Sequence, residues 1–244
     1  MNHFRIWHNS FKNRKKYTIR QREAFYDLAL PFLPTSKDDV IVDIGAGSGG
    51  FGARLNLYQT YNNVVLLDGN EETVKNLQNE GHKAIIHKVP NRLPFENKSV
   101  ALVHSSHMVE HLSHKQLYSF ISEVDRVLCD GGIFIISTPL LWKNFYNDLS
   151  HIKPYNPVVF IKYLCEKSEQ RTEKTVSGNF VVKDLTYRYT TEEFSFIGAN
   201  NIVVDFIIQV FKMVISKIFG INRYTRSGYT ITFKKDSNSE PSKL

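Results

Sequence analysis

The sequence predicts an α/β protein: a doubly wound, mostly parallel sheet with helices on both faces. Three observations carry that prediction. Short apolar runs alternate with helical patterns through residues 38–139, one run ends in a glycine-rich turn, and an acid closes the next run about 20 residues further on.

The elements follow in chain order. Thr18–Leu33 sets Ile19, Ala24, Phe25, Leu28 and Phe32 at helical spacing, and Pro34 ends the pattern. Val40–Ile44 is a short apolar run that stops at glycines, as a fully buried strand does. Val64–Leu67 repeats the pattern, Ala84–Ile86 is a weaker third case, and Val100–Val103 and Gly132–Ser137 complete five. Gln116–Leu128 keeps Leu117, Phe120, Ile121, Val124 and Leu128 on one stripe, and Asp130-Gly131-Gly132 supplies its stop. After Pro139 the rhythm breaks. Residues 140–200 mix aromatics, prolines and charge, with only Val158–Leu164 helical, and predict an insertion covering the ligand crevice at the strands' carboxyl ends. Ile202–Ile208 then predicts a strand, Val210–Phe219 a helix and Tyr229–Phe233 a last strand. An alternative joins Ile202–Phe219 into one helix with Asp205, Gln209, Lys212 and Ser216 on a stripe. Its broad apolar face would pack as a core or dimer element, or lie on a membrane.

At 244 residues with no composition break, the chain predicts one domain: a basic arm to residue 37, a core over 38–139, the cover over 140–200, closing elements over 201–234 and a polar tail. Apolar residues at 42 % and charged residues at 23 % exclude collagen-like, disordered and disulfide-scaffold classes. Two cysteines, Cys129 and Cys165, make neither a disulfide framework nor a four-cysteine metal site. Met1–Arg22 is too polar for a signal peptide, and no run is long and apolar enough to span a bilayer, so a cytoplasmic protein is expected. The net charge is +7, and Met1–Arg22 holds seven basic residues and no acid. Such an arm attracts phosphate on RNA, anionic lipid or a nucleotide-linked molecule, and equally suits plain solvation.

The most informative segment is Val42-Asp43-Ile44-Gly45-Ala46-Gly47-Ser48-Gly49-Gly50-Phe51-Gly52. Glycines there permit a tight bend and let the backbone approach a ligand with no Cβ in between. Asp43, inside the strand end, suits an ammonium group, and Asp68 suits ribose hydroxyls. With an acid ahead of the first glycine, the turn fits a dinucleotide fingerprint poorly.

Val42–Leu55 resembles motif I of the class I S-adenosylmethionine (SAM)-dependent methyltransferases. Leu93-Pro94-Phe95, Val100–Val103 and His107-Met108-Val109-Glu110-His111-Leu112 are similar to the L-P-F … V-L-E-H-L signature of their most common subgroup. Gly131-Gly132-Ile133 resembles the glycine pair that opens strand five. The resemblance implies a seven-stranded, Rossmann-like sheet with its last strand antiparallel and SAM across the carboxyl ends of the first strands. It sets Asp43, Gly45, Ala46, Gly47, Ser48 and Gly49 along the methionine moiety, Asp68 at the ribose and Ser106 among the cofactor contacts. SAM carries a sulfonium and an ammonium but no phosphate, so carboxylates at this turn suit it. Where the family has an acid facing the adenine amine, this chain has Val89, and Asn91 or a backbone carbonyl is expected there instead. The family's Phe-Asp before strand four is Val100-Ala101 here. The amino-methylating Asn/Asp-Pro-Pro-Tyr motif is absent, which points away from base amines.

His107, Glu110 and His111 fall at i, i+3 and i+4, one face of a helical turn. With His151 from the cover as a fourth ligand, they suit a divalent metal with open positions. The set is similar to the Glu-x-x-Glu-His … His magnesium site of small-RNA 2′-O-methyltransferases, and ubiquinone-biosynthesis O-methyltransferases carry a related sequence. His107 in place of the first Glu shifts the preference towards zinc or iron. Without metal, His107 or His151 is the candidate general base with Glu110 as its orienter, and simple packing accounts for the same residues. The run from His151 to Pro157 resembles a His-x-x-x-(Tyr/Phe/Trp)-Thr-Pro stretch of sugar- and metabolite-modifying members.

Three functions compete. The favoured one is methyl transfer from SAM to a hydroxyl of a small molecule, such as a sugar or lipid-linked intermediate. The second is RNA 2′-O-methylation through a metal-assisted site, against which the basic arm offers few aromatics for base stacking. The third is a SAM-binding scaffold without turnover. Ser242-Lys243-Leu244 matches a peroxisomal address, which carries meaning only in a host with peroxisomes.

Overall fold

Seven strands make one sheet in the computed structural model, which describes residues 16–18, 23–167, 173–192, 202–219 and 223–236. The strands are β1 (Val40–Ile44), β2 (Asn63–Asp68), β3 (Ala84–Ile86), β4 (Val100–Ser106), β5 (Leu128–Pro139), β6 (Phe180–Glu192) and β7 (Arg223–Lys235), in the order β3-β2-β1-β4-β5-β7-β6. β1 to β5 pair in parallel. β7 runs antiparallel to both β5 and β6, so β6 points the same way as β5. The helices are α1 (Glu23–Tyr26, continued as a 3-10 turn over Asp27–Phe32), α2 (Gly50–Arg54), α3 (Leu57–Thr60), α4 (Glu71–Asn79), α5 (His114–Val127), α6 (Pro157–Leu164) and α7 (Ile202–Phe219).

Period-two alternation divides the core between the two faces of the sheet. Val42, Ile44, Val65, Leu67, Phe134 and Ile136 join one cluster, and the intervening Ile41, Val64, Leu66, Ile133 and Ile135 join the other. The first cluster is closed by Leu117, Phe120, Ile121 and Val124 of α5 and by Phe160 and Leu164 of α6. The second is closed by Phe51, Leu55, Leu57, Val74 and Leu77 around α2, α3 and α4. Buried on both faces, the central strands read as apolar runs, broken only towards their carboxyl ends by residues such as Asp43 of β1 and His104 of β4. α5 starts where Ser113 and Gln116 cap it reciprocally, each side chain bonded to the other's backbone N–H.

The chain runs from β1 outward through β2 to β3, then returns to place β4 on the other side of β1. That reversal opens a crevice at the carboxyl ends of β1 and β4.

The structure corrects four sequence expectations. Ile202–Phe219 is one helix rather than a strand and a helix, because its polar residues recur at helical period and override a short β-branched run. The sixth strand is instead Phe180–Glu192, inside the segment expected as cover; register shifts at Val182/Asp184 and Arg188/Tyr189 break the alternation that would have marked it. Gly131 and Gly132 lie within β5, since Leu128 turns extended directly after α5, and a shift between Val100 and Leu102 absorbs the irregularity. Thr18 bridges to Tyr189 rather than opening a helix. Most of the basic arm and the Ser-Lys-Leu terminus lie outside the described residues.

Candidate active site

The glycine turn is built to stay open. Gly45 and Ala46 donate backbone N–H bonds to Leu67 O at 2.8 and 3.1 Å, fastening the turn to the end of β2. Gly45, Gly47 and Gly49 have φ of +75°, +52° and +70°, which side chains rarely tolerate. A Cβ on Gly45 would press on Met108, whereas one on Gly47 would meet nothing within 4 Å, so the space beside Gly47 is free. Gly49 and Gly52 let Tyr58 close in, and its hydroxyl donates to Gly49 O at 2.8 Å. Ser48 is exposed on the same turn.

Asp68 ends β2 facing this turn. Its two oxygens accept from Gly47 N at 3.0 Å and Asn70 N at 2.9 Å. A carboxylate has about four lone-pair sites, so two remain for a ligand's hydroxyls. Asp43 lies near the end of β1, below the turn. It is 3 % exposed, and its Oδ1 lies 2.7 Å from Nδ1 of His104, the residue opposite it on β4. His104 in turn stacks on Phe51, centroids 3.6 Å apart. Asp43 thus braces the β1–β4 seam below the turn. On the far side of Asp68, His87 donates its N–H to Asp68 O, and its Nε2 is buried with no hydrogen-bond partner among the described residues. Burial pushes the His87 imidazole's pKa down, so it stays neutral. Asn91 is exposed in the following turn, and Ser106 is half-buried opposite Ser137.

Beyond β4 the chain carries a polar relay. His107 has φ +54°, and its Nδ1 lies 3.1 Å from Glu110 Oε1. Its Nε2 lies 2.8 Å from Nη1 of Arg188. A guanidinium only donates, so Nε2 accepts and Nδ1 carries the proton given to Glu110. Arg188 comes from β6, is 6 % exposed, donates to Ser137 Oγ and lies over the ring of Phe25. Glu110 is fully buried and accepts from Thr138 at its second oxygen. Burial pushes its pKa up, but the His107 hydrogen bond and the nearby imidazoles outweigh this and hold it below the ordinary carboxylate range. The His107 lone pair is therefore already engaged, which weakens that residue as a general base.

The cover segment docks on the same turn. Ile152 N and Lys153 N donate to Glu110 O, and Tyr155 donates to Leu112 O. This brings His151 to His111, ring centroids 5.0 Å apart. His111 Nδ1 bonds Ser150 O at 3.1 Å and His151 Nδ1 bonds Phe145 O at 2.6 Å. Carbonyls only accept, so both rings carry the proton on Nδ1 and keep a lone pair on Nε2. Glu110, His111 and His151 each offer a ligand atom within 4.8 Å of the other two; among the described residues this group closes without His107. Three of the four expected ligands converge.

Nothing in the spacing marked His104, His87 or Arg188, though a lone arginine amid alternating β-formers is a cue for an inward charge.

Residues 42–136 match the methyltransferase domain family model. An uncharacterised methyltransferase of Synechocystis sp. is 32 % identical over 115 residues, 47 % of this chain and 53 % of that protein. A probable SAM-dependent methyltransferase of Mycolicibacterium smegmatis is 32 % identical over 126 residues, 51 % of this chain and 46 % of that protein. The chain thus spans about half the length of these curated relatives. In fold, a SAM-dependent methyltransferase from Archaeoglobus fulgidus superposes with a TM-score of 0.58 at 19 % identity, over 93 % of this chain and 99 % of that one. A geranyl diphosphate C-methyltransferase from Streptomyces coelicolor, solved with Mg2+, its substrate and S-adenosyl-L-homocysteine, does so at 0.57 and 12 % identity, over 88 % of this chain and 79 % of that one. The open glycine turn and the carboxylate that faces it thus lie within the segment, residues 42–136, that is similar to the methyltransferase domain family, on a sheet whose fold is that of the solved methyltransferases.

Proposed function

We propose that the protein transfers the methyl group of SAM to a hydroxyl of a small-molecule acceptor. One observation carries this reading: the open turn with Asp68 and the histidine–carboxylate cluster after β4 lie at the same carboxyl edge of the sheet. When bound, SAM supplies an electrophilic methyl on a good leaving group. Asp68 holds the ribose hydroxyls with its two remaining acceptor sites. Asn91, exposed in the turn after Val89, or a backbone carbonyl there takes the adenine contact where the family has an acid. The turn from Gly45 to Gly49 lies along the methionine moiety. His151 is the favoured general base: its Nδ1–H is anchored on a carbonyl, which orients Nε2 as the proton acceptor for the attacking hydroxyl. The carbonyl of Phe145 keeps the His151 tautomer fixed, and Glu110, in the same cluster, balances the charge that develops there. In-line positioning of acceptor oxygen, methyl and sulfur supplies much of the rate.

A second reading is favoured by the convergence of Glu110, His111 and His151. Both imidazoles carry the carbonyl-anchored Nδ1–H found behind metal-bound histidines. A divalent cation there would lower the acceptor hydroxyl's pKa and do the base's task, for a small molecule or an RNA 2′-hydroxyl.

Calorimetric SAM binding to the wild type and to Asp68→Ala, each with and without a chelator, tests both. The proposal expects at least tenfold weaker binding by the variant, about 1.4 kcal/mol. Loss of methyl transfer on chelation with SAM binding intact selects the metal reading. A wild type that binds no SAM overturns the enzyme assignment and the SAM-binding scaffold alike, whereas SAM binding without turnover on any acceptor leaves the scaffold.

A further inference from the structure

α7 carries much of its apolar surface outward. Asp205, on its polar stripe, is half-buried, while Ile202, Val203, Val204, Phe206, Phe211 and Val214 are exposed. Ordinary surface helices do the reverse, with the apolar face on the core and the charged face in water. The outward arc runs through Phe206, Ile207, Val210, Phe211 and Val214 without a single acid.

Charge and position say what covers it. Between Ile202 and Arg226 the sequence holds four cations, Lys212, Lys217, Arg223 and Arg226, against Asp205 alone, within a chain of net charge +7. α7 connects the carboxyl end of β6 to the start of β7, so it departs from the edge that carries the glycine turn and His107. The cover leaves the same edge after Pro139, and it too exposes large apolar side chains, Leu141, Leu149 and Ile152, beside the exposed Lys143 and Lys153. Two separate elements, each following a strand that ends at that edge, thus combine apolar surface with cations. No helix among the described residues is long and apolar enough to cross a membrane.

We propose that α7 is an interfacial docking helix that seats its outward face in the headgroup boundary of an anionic phospholipid bilayer, with the crevice turned towards the membrane. Such helices bind through buried apolar area and attraction to anionic lipid together. A second copy of the chain would satisfy the apolar arc but would set the cations of the two copies against one another. RNA would satisfy the cations and leave the arc in water. If the hydroxyl reading above holds, the acceptor is a hydroxyl borne by a membrane lipid; docking itself does not depend on that reading.

Co-sedimentation of the full chain with phosphatidylcholine vesicles, with and without phosphatidylglycerol, tests the proposal. The expected result is binding to the phosphatidylglycerol vesicles that weakens with salt, and at least tenfold weaker binding by Phe206→Ser/Phe211→Ser. Calorimetric SAM binding by that double variant should equal the wild type's, which shows that it is folded and separates failure of docking from failure of the enzyme reading. A wild type that stays in the supernatant overturns the proposal. So does binding that the double variant retains in full. Dimers that dissociate on the two substitutions, with no vesicle binding, would assign the face to a second copy instead.

Discussion

Glu110 is the residue on which most of the cluster turns, since a carboxylate sealed from solvent survives only if its partners are fixed. His107 and Thr138 supply those partners, and the folded-state pKa lies below the ordinary 4.5. A depressed carboxyl pKa contributes stability that is fully present above the unfolded value and is lost as pH falls through the folded one. Glu110→Gln should therefore melt below the wild type at pH 7, by about 1–3 kcal/mol of stability. The gap should narrow as the pH is lowered through 4.5 and below. Melting curves that stay equally separated across that range would mean that Glu110's charge does not hold the cluster. At this scale the sequence was partly legible. The i, i+3, i+4 spacing anticipated that Glu110 and His111 lie together, and the acid closing β2 that Asp68 faces the glycine turn, because local geometry sets those placements. Arg188 and His104 depend on which strands lie side by side, and no local spacing encodes that. Asp43 shows the converse: its place in the motif was plain, but its hydrogen bond to His104 on β4 was not.

Elements were legible wherever one physical rule dominated. β1 and β2 are apolar because both faces are covered, and α5 shows its stripe because one face is. Phe120, at 1 % exposure within that stripe, touches the cluster that includes Phe134 and Phe233. Phe120→Ala should cost about 3–5 kcal/mol by lost transfer energy and the cavity left behind. Urea unfolding with an unchanged slope and a lower midpoint is the expected signature, and a loss under 1 kcal/mol would show that the site collapses to fill the gap. β6 was illegible for a physical reason: two register shifts disturb its alternation, and it is the sheet's edge strand, laddered with β7 and met on its outer side by the bridge from Thr18 to Tyr189. α7 sat at the boundary of two rules. Its β-branched start favoured a strand, and only the recurrence of polar residues over four turns favoured a helix.

At the scale of the whole molecule, the order of the strands converts separate local features into one site. The turn after β1, the acid after β2, the cluster after β4 and the cover after β5 are far apart in the chain, yet parallel pairing delivers all four to one edge. The family resemblance anticipated this convergence; composition and charge did not. The same ordering has a bearing on modularity. Glu192 and Arg223 face each other as the terminal pair of the β6–β7 ladder, so everything between them, α7 included, is a loop on a hairpin. A two-residue turn such as Asn-Gly is the natural closure for strands so paired. Replacing residues 193–222 with that turn should leave a shortened chain that melts cooperatively and still binds SAM, measured by calorimetry, because among the described residues neither core cluster draws on α7. The helix is in this sense a detachable cassette, a part that can be gained, exchanged or lost while the sheet beneath it keeps its design.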